Sequence, residues 1–321
     1  MKSFKQTIVN SYAFKTYWNI LLNILSKKPK KLKDFLYKKT FGHSIDWGNP
    51  RDLNEWINWL QENTDIQKWV QLADKYEVRN YIKEKGLNEI LVPFYGVWDN
   101  PEDLRLDIGE EKIIIKANNG CGDRKIFTTE ANQTFRLDND SIKHYKKAFK
   151  TKGTILSGES HYQHIPPRII AEKFLSAENQ AFPSKSLIDY KFWCINGEPE
   201  ACMVLYDRDG FNVKMSLFDK DWNNISENII GSSHSDIIYT KLPQPKNWEK
   251  LKEVATTLSQ GIPQVRVDLY EVNDKVYFGE MTFTSAGGRM QYFKPTYLKQ
   301  LGDKISQEFA KGTYKELIKK S

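Results

Sequence analysis

The sequence predicts an α+β fold arranged in two or three lobes, and three observations support this prediction. With 321 residues, the chain is longer than one compact core usually holds, and 40% of it is apolar, which is enough to build real cores. Apolar residues recur at helical spacing through residues 51–86. From Lys112 onwards, β-branched and alternating runs take over, which indicates strands.

The predicted elements follow one another along the chain. In the first helical segment, Trp56, Ile57, Trp59 and Leu60 share a face, and a second helix over residues 72–85 ends at Gly86. The predicted strands are 113–116, 124–128, 190–195, 200–206, 211–217, 265–271 and 275–283, with a hairpin turn at 196–197. Asn247 is predicted to cap a helix with Leu251, Val254, Ala255 and Leu258 on one face, and a last helix is predicted from about Pro295.

The net charge of +7 hides an uneven distribution of charge. The basic stretch, residues 1–42, contains ten lysines and one acid, Asp34, so the rest of the chain has a net charge of −2. Apolar residues in this stretch recur at helical spacing, at Phe14, Trp18, Leu21, Leu22 and Leu25. Either this stripe packs on the body and leaves the lysines in water, which we favour, or the stretch lies on an anionic membrane. Nucleic acid is not expected as a partner, because no recognisable binding module accompanies the lysines.

Composition also bears on the cellular compartment. The three cysteines, Cys121, Cys194 and Cys202, have no zinc-like spacing, and an odd, small number suits a reducing cytoplasm better than a disulfide framework. We find neither a signal peptide with a cleavage site nor a run of about 20 apolar residues. We therefore expect a cytoplasmic protein, which would be peripheral at the inner face of the membrane if the basic stretch binds lipid.

Two acids in the last predicted hairpin form the strongest local signal. Arg266 and Asp268 share one face of a strand, and the return strand carries Glu280 and Thr282. With a turn at residues 273–275, Asp268 faces Glu280 and Arg266 faces Thr282. Opposed carboxylates destabilise a strand pair, whereas Mg²⁺ is commonly bound by one or two carboxylates plus phosphate oxygens. The pattern indicates a metal site or, alternatively, a surface hairpin in which Arg266 neutralises both acids, and a one-residue slip would send Glu280 to the other face.

A glycine-containing loop is the second signal. The apolar strand over residues 113–115 ends on Lys116, and Gly120 and Gly122 follow in the next loop. Such a loop brings backbone N–H groups close to phosphate oxygens, and the lysine adds a point charge. It is not a P-loop, because it lacks Gly-Lys-Ser/Thr and leads into a strand. Taken alone, an ordinary turn with an exposed lysine explains it equally well.

Two further strand ends carry charged residues. Glu172 and Lys173 interrupt an apolar strand ahead of a polar stretch, residues 176–186, that we interpret as a loop or hinge. Lys191 lies near the start of another strand and is a second candidate for phosphate binding. Each of these patterns is also typical of a solvated strand end.

Taken in order, these segments resemble the ATP-grasp superfamily, and within it the TupA-like branch, named for teichuronopeptide biosynthesis. The resemblance covers roughly residues 50–300. The segments that carry it are LADKYEVRNY (72–81), PFYGVW (93–98), IKANNGCG (115–122), PRIIAE (167–172), DYKF (189–192), RVDLY (266–270) and YFGEMTF (277–283). The implied ATP-grasp fold has two α+β subdomains that clamp ATP and a smaller N-terminal lobe. The implied limits are a basic helical arm (1–50), the N-terminal lobe (51–110), the small subdomain (111–175) and the large subdomain (176–321).

The resemblance also implies roles for individual residues, with ATP and Mg²⁺ as cofactors and Mn²⁺ as an alternative metal. The implied ATP-binding residues are Lys116, Asn119, Gly120, Gly122 and Lys191 at the phosphates, and Glu172, Lys173 and Leu175 in the strip that meets adenine. Asp268, Glu280 and Thr282 correspond to the metal site. Arg266 and Lys191 would act in catalysis, since Arg266 matches an arginine that stabilises the tetrahedral oxyanion in related ligases. Many ATP-grasp ligases have asparagine where this chain has Thr282, a difference that we read as a trait of the branch.

The implied reaction is an ATP- and Mg²⁺-dependent joining of a carboxylate and an amine. The carboxylate would form an acyl phosphate, and the amine would displace phosphate to give an amide and ADP as coproduct. By analogy with the branch, the substrates are an amino acid or amine and a uronic acid or peptide-modified sugar in surface polysaccharide biosynthesis, as in a capsule, an O-antigen or a teichuronopeptide.

Two alternatives remain open. Residues 207–209 and 219–221 both fit the Asp-x-Asp pattern of glycosyltransferases that bind a metal and a nucleotide sugar. We favour turn chemistry for both, because the first lies beside Gly210 at a strand connection and the second precedes a loop. The other alternative is a non-catalytic ATP-binding assembly factor of the polysaccharide machinery.

Overall fold

Two β-sheets and the helices around them make up the fold, which confirms the predicted α+β class. The computed structural model describes residues 20–120, 122, 124–150 and 152–319. Its helices are α1 (Pro29–Phe41), α2 (Leu53–Asn63), α3 (Gln67–Ala73), α4 (Val78–Glu84), α5 (Asn139–Ala148), α6 (Lys152–Leu156), α7 (Trp248–Ser259) and α8 (Pro295–Lys311). Its strands are β1 (Phe94–Trp98), β2 (Lys112–Ala117), β3 (Arg124–Thr128), β4 (Ile169–Lys173), β5 (Asp189–Ile195), β6 (Glu198–Asp209), β7 (Asn212–Phe218), β8 (Ser235–Ile237), β9 (Gln264–Val272) and β10 (Lys275–Thr282). Residues 20–25 are also helical.

The small sheet has the strand order β1-β4-β2-β3, with every neighbouring pair antiparallel. Side chains of β2 alternate between its two faces. Ile113 and Ile115 are buried in a core with Tyr145 of α5, whose hydroxyl donates to the carbonyl of Ile115 at 2.9 Å. Lys116 therefore projects from the other face of the sheet.

The large sheet has the order β10-β9-β5-β6-β7-β8, antiparallel except for the parallel pair β7 and β8. Helix α7 buries the predicted face, at Leu251, Val254, Ala255 and Leu258. Asn247 is the N-cap residue of α7, as predicted, but its side chain makes no capping hydrogen bond and donates to the carbonyl of Asp274 at 3.1 Å. The carboxylate of Glu271 instead accepts from the backbone N–H of Asn247 at 2.7 Å.

The hydrophobic cores show how the N-terminal third of the chain is distributed. Apolar residues of α2, α3 and α4 pack into one core with the large sheet, α7 and α8. Strand β1 joins the small sheet, and Leu104 and Leu106 belong to the core beneath it. Residues 51–110 are thus shared between two cores, and the domain limits implied by the sequence stay a prediction.

The helical segment predicted over residues 72–85 is broken in the structure. Helix α3 ends at Ala73 and α4 begins at Val78, because Asp74 adopts an extended conformation. Its Oδ1 accepts from the backbone N–H of Tyr76 at 2.8 Å and from the Asn118 amide at 2.9 Å. This break places Lys75 against the loop that follows β2, where its backbone N–H donates to the carbonyl of Asn118 at 3.3 Å.

Helix α1 packs one face on the body and leaves its other lysines exposed. Leu32, Lys33 and Tyr37 are buried, and Lys33 pairs with Glu62 of α2 at 2.6 Å. In the predicted apolar stripe, Leu22 is buried, and Leu21 and Leu25 are half-buried; Phe14 and Trp18 lie outside the described residues. Within the described part of the chain, none of the helices has the length and hydropathy needed to cross a bilayer.

Candidate active site

A cavity of about 540 Å³ lies between the two sheets, a volume typical of small-molecule sites. The small sheet lines it with residues of β2, β3 and β4, and the large sheet with residues of β5, β6, β9 and β10. Basic side chains outnumber acidic ones in the described wall: Lys75, Lys116, Arg124, Lys173, Lys185, Lys191 and Arg208 against Glu172, Asp189, Asp268 and Glu280. This excess of positive charge favours an anionic ligand.

One buried carboxylate organises the cations on the small-sheet wall. Glu172 of β4 lies beside β2, where its partner in the register is Ile114. Its Oε2 accepts from the Nζ of Lys116 at 2.6 Å, and its Oε1 accepts from the Nη1 of Arg79 at 3.0 Å. Glu172 was expected to meet adenine, and it does line the cavity. Both of its oxygens, however, are used to hold these two cations.

The loop after β2 brings its glycines, but not its asparagine side chain, to the cavity. Gly120 and Gly122 line the wall, and the ammonium of Lys75 donates to the carbonyl of Gly120. Gly122 has a φ of 82°, in the left-handed region that favours glycine. Asn119 is buried, and its amide donates to the carbonyl of Phe149 at 3.2 Å behind the small sheet. Its predicted contact with phosphate therefore has no support from its side chain.

Part of the cavity wall is apolar. Lys173 and Leu175, predicted to meet adenine, both line the cavity, and the ammonium of Lys173 pairs with Glu111 at 3.1 Å. Apolar side chains from both sheets and their connections accompany Leu175: Val92, Ile114, Phe174, Leu187, Leu205 and Phe278. Such a surface is suited to a planar ring.

Asp268 and Glu280 face each other across β9 and β10, which confirms the predicted pairing. The hairpin reaches this register by a route that differs from the prediction. Its turn consists of Asn273 and Asp274 alone, both with positive φ, and it pairs Phe278 with Leu269. A bulge at Gly279 then shifts the register by one residue. Without this bulge, Glu280 would project from the opposite face of the sheet.

Close packing explains why a glycine occupies the bulge. A Cβ atom at position 279 would lie 2.9 Å from the carbonyl oxygen of Asp268 and 3.0 Å from the ring of Tyr270. Only a residue without a side chain avoids these contacts. Gly279 therefore allows the two acids to share one face.

Two cations hold the acidic pair in place. Arg266 donates from Nε to Asp268 Oδ1 at 2.6 Å and from Nη2 to Glu280 Oε1 at 2.9 Å. Lys191, on the neighbouring strand, pairs with Asp268 and also with Asp189 at 2.7 Å. Burial raises the pKa of Asp268, and the charges of Arg266 and Lys191 oppose that shift. Burial would also raise the pKa of Glu280, but the charges of Lys75, Arg266 and Lys191 lower it to about 2.

A family model matches most of the sequence that builds this site. The model of the TupA-like ATP-grasp family covers residues 55–306, from α2 to α8. The chain belongs to the TupA-like ATP-grasp family. The match confirms the resemblance seen in the sequence.

Solved structures similar to this TupA-like chain are ATP-grasp ligases. A D-alanine–D-alanine ligase from Bacillus anthracis is 12% identical, with 82% of this chain and 76% of that chain covered and a TM-score of 0.44. The Helicobacter pylori enzyme is also 12% identical, with 80% and 66% covered and a TM-score of 0.41. The ATP-grasp ligase PsnB, complexed with a minimal precursor, is 10% identical, with 76% and 62% covered and a TM-score of 0.36. No curated protein matches the chain. Since these TM-scores are below 0.5, the assignment to the family rests on the family model.

The donors in the cavity fit a Mg²⁺ ion that also binds phosphate oxygens. Asp268 and Glu280 supply two opposed carboxylates, and Asp189 adds a third whose Oδ1 is buried without a hydrogen-bond partner. Thr282 does not line the cavity, and its hydroxyl donates to Glu280 Oε1 at 3.3 Å. In the described part of the chain, no group of three His, Cys, Asp or Glu residues is placed to hold a metal by itself. The site therefore fits Mg²⁺ bound together with phosphates rather than in a cage of protein ligands.

Both Asp-x-Asp segments have structural roles: residues 207–209 end β6 at a register shift, and residues 219–221 lie in the turn after β7. Asp207 has a φ of 48°, and its carboxylate accepts from the backbone N–H of Lys185 at 3.0 Å and pairs with Lys214 at 2.9 Å. Asp219 accepts from the backbone N–H groups of Asp221 and Asn223 at 2.9 and 2.8 Å. These contacts and the family match leave the glycosyltransferase hypothesis without support.

Sequence reasoning missed several residues of the site. Lys75 and Asp189 line the cavity, and Arg79 holds Glu172. All three lie inside segments that carry the family resemblance, 72–81 and 189–192. They were missed because helical or strand periodicity says nothing about the function of a charged residue. Their position in those segments was the one available signal.

Proposed function

We propose that this TupA-like chain is an ATP- and Mg²⁺-dependent carboxylate–amine ligase that forms an amide through an acyl phosphate. The observation that carries the proposal is the cavity between the sheets, where lysines from both walls and two opposed carboxylates converge. That combination suits a triphosphate and its metal. Mn²⁺ could replace Mg²⁺, because carboxylate and phosphate oxygens suit both ions.

The wall residues divide between the parts of ATP. Lys116 and Lys191, with the backbone of Gly120 and Gly122, would bind the phosphates, and Leu175 and its apolar neighbours would contact adenine. Asp268 and Glu280 would hold Mg²⁺, which neutralises charge on the phosphates when it is bound. Phosphoryl transfer depends mainly on positioning and charge neutralisation, so these residues supply most of what the first step needs.

The reaction conserves atoms in two steps. A carboxylate oxygen attacks the γ-phosphorus, and ADP leaves with the electrons of the broken P–O bond. The amine then attacks the acyl carbon, phosphate leaves, and the amine loses a proton. Arg266 is held by Asp268 and Glu280 through Nε and Nη2, and its Nη1 has no hydrogen bond within the described residues. Through Nη1, it would stabilise the oxyanion of the second step.

A product assay tests the proposed reaction. Full-length protein with ATP, Mg²⁺ and a matrix of uronic acids and amino acids should release ADP and phosphate in equal amounts. Release of UDP from a nucleotide sugar would instead support a glycosyltransferase. Tight ATP binding without turnover on any mixture would support an assembly factor. Either of these two results would contradict the ligase.

The substrate class comes from the resemblance to the TupA-like branch. We infer that an amino acid or amine is joined to a uronic acid or peptide-modified sugar during surface polysaccharide biosynthesis. Cytoplasmic ATP and a growing or lipid-linked sugar would then meet at this enzyme. Adding simple carboxylates to the same matrix tests this, because turnover should require the uronic acid and should not occur when a simple carboxylate replaces it.

The exposed face of the basic stretch supports peripheral binding to an anionic membrane. Lys31, Lys38 and Lys39 are exposed, and Ile20 and Ile24 expose 54% and 61% of their surface. A Lys31, Lys38 and Lys39→Glu variant keeps the buried face of α1, including the pair between Lys33 and Glu62. We expect it to lose binding to anionic vesicles, whereas the matched Lys143, Lys146 and Lys147→Glu variant on α5 should bind as wild type does. Equal binding by the two variants, or none by the wild type, would refute the attachment.

A further inference from the structure

An arginine beyond the acidic pair has one edge of its guanidinium unengaged. Arg289 lies in the loop after β10 and is half-buried. Its Nη1 donates to the carbonyls of Ser157 at 2.9 Å and Gly287 at 3.0 Å. Within the described residues, Nε and Nη2 make no hydrogen bond, and no carboxylate lies within ion-pair distance. Two carbonyls thus orient the guanidinium through Nη1. The edge formed by Nε and Nη2, which can bind a carboxylate in bidentate geometry, stays free.

Near Arg289, the carboxylate of Glu159 also has no cationic partner within the described residues. Glu159 accepts from the hydroxyl of Thr284 at 2.8 Å and from that of Ser157 at 2.6 Å. No basic side chain in the described part of the chain forms an ion pair with it. Burial raises the pKa of Glu159, and the hydrogen bonds from Ser157 and Thr284, together with the charges of Arg289 and Arg266, oppose that shift. Glu159 and Arg289 are therefore opposite charges that both bond to Ser157 without pairing with each other.

The loop that carries Arg289 is held in a strained conformation. Ala286, Gly287 and Gly288 have φ values of 50°, 62° and 67°, so a residue with a side chain takes a left-handed conformation beside two glycines. Two buried amides of α2 clamp the loop: Asn58 donates to the carbonyl of Gly288 at 2.9 Å, and Asn54 bonds to both backbone groups of Met290. Backbone strain of this kind persists where the surroundings enforce it, and it concentrates at functional sites.

Arg289, Glu159, Ser157 and Thr284 form a cluster that adjoins the acidic pair but does not belong to the lining of the proposed ATP cavity. Thr282 donates to Glu280, and Thr284, two residues on, donates to Glu159. Glu280 lines the cavity, whereas Thr282, Thr284 and Arg289 do not. If ATP occupies the cavity, a substrate at Arg289 would bind beside the acidic pair and outside the residues that line the ATP cavity.

We propose that Arg289 and Glu159 bind an α-amino acid as the amine substrate of the ligase. The free edge of Arg289 takes its carboxylate, and Glu159 attracts its ammonium group. A simple amine would leave Arg289 without an anion, and a dianion would be repelled by Glu159. This inference rests on the proposed function for the reaction, but the binding itself does not require turnover.

Binding measurements on full-length protein test the inference. The probes are the twenty L-amino acids and their decarboxylated amines, measured by saturation-transfer NMR and titration with AMPPNP and Mg²⁺ present. At least one amino acid should bind the wild type, and its decarboxylated amine should bind at least about tenfold more weakly. Arg289→Gln should lower the affinity of the protein for that amino acid by about 10- to 100-fold. Arg289→Lys should have a smaller effect, because it keeps the charge and loses the bidentate geometry.

Arg105→Gln is the matched control, because the Nη1 of Arg105 also donates to two backbone carbonyls, those of Glu102 and Leu104. It should bind the amino acid as the wild type does, and AMPPNP affinity within about twofold of wild type in every variant reports an intact fold.

AMPPNP binding by the wild type without any amino acid binding would overturn the inference and leave the proposed function standing. Equal binding of an amino acid and its amine, or unchanged binding in Arg289→Gln, would also overturn it. If the Arg289→Gln variant does not fold, the affinities of the wild type for the amino acid and for its decarboxylated amine decide whether the inference holds. No AMPPNP binding by the wild type would instead refute the proposed function.

Discussion

The two walls of the cavity position their charges by different means. On the small-sheet wall, Glu172 holds Lys116 of β2 and Arg79 of α4 through side-chain ion pairs. On the large-sheet wall, Arg266 and Lys191 also form ion pairs, but Asp268 and Glu280 face each other because of the main-chain register of β9 and β10, which depends on the bulge at Gly279. A strand register is either correct or lost, because a slip of one residue moves a side chain to the opposite face of the sheet. In an ion-pair network, a substitution removes one ion pair and leaves the others in place. Changes in the large-sheet wall should therefore abolish function, and changes in the small-sheet wall should weaken it.

The largest effect is expected from neutralising the acidic pair. Asp268→Asn and Glu280→Gln should each lower Mg²⁺-dependent ADP release by at least about 100-fold, since metal charge stabilisation is worth several kcal/mol. Asp221→Asn, an exposed aspartate of an Asp-x-Asp turn, is the control and should keep its activity. Circular dichroism melts check that each variant folds. Turnover retained in either acid variant would remove the proposed metal site.

Breaking the bulge tests whether register alone is decisive. Gly279→Ala forces its Cβ against the Asp268 carbonyl, and we expect ADP release to fall by about 10- to 100-fold as Glu280 is displaced. Gly153→Ala is the matched control, because nothing lies within 4 Å of its Cβ position. Activity near wild type in Gly279→Ala would show that side chains rather than register align the acids.

A smaller effect is expected at the small-sheet wall. Lys116→Ala removes one charge from the cavity, and isothermal titration should show ATP binding about tenfold more weakly, the value of one charge-assisted hydrogen bond. Lys143→Ala, at an exposed lysine of α5, should leave the ATP affinity unchanged. An unchanged affinity in Lys116→Ala would refute its phosphate role.

The smallest effect is expected where the network loses an outer member. Arg79→Met leaves Lys116 paired with Glu172, so the Kd for ATP should rise only about threefold in the same titration, below the cost of removing a direct contact. A loss greater than that of Lys116→Ala would mean that Arg79, rather than Lys116, dominates nucleotide binding on this wall.

Much of the fold and part of the site followed from local pattern. The apolar face of α7, the start of α8 at Pro295 and the pairing of Asp268 with Glu280 were predicted and are confirmed. The correct pairing came from an incorrect turn, because a two-residue turn followed by a bulge gives the same register at the acids as a three-residue turn. The sequence of a hairpin reveals a bulge only when the glycine at the bulge position is recognised as its signal.

Other expectations depended on where side chains point. Asn119 follows the predicted phosphate strand, yet its amide packs behind the small sheet. Glu172 ends an apolar strand, yet it binds Arg79 rather than standing free for a ligand. Residues 51–86 have helical periodicity and pack with the large sheet, whereas Leu104 and Leu106, in the same predicted lobe, join the core of the small sheet. Periodicity identifies a buried face without identifying the element that covers it.

The sequence by itself determined strands β2, β3, β5, β6, β7, β9 and β10, helices α2, α7 and α8, and the face on which Arg266 and Asp268 lie, and its motifs carried the resemblance to the TupA-like ATP-grasp family. The elements and the shared face follow from side-chain alternation and spacing within a few residues of one another, whereas the family resemblance comes from the order and spacing of motifs over roughly residues 50–300. Only the tertiary structure decided the partners of the charged groups: Arg79 reaches Glu172 across 93 positions, and Arg289 reaches Ser157 across 132. Such partners are chosen by the packing of whole elements, because a buried charge is stable only where another part of the chain brings it a partner.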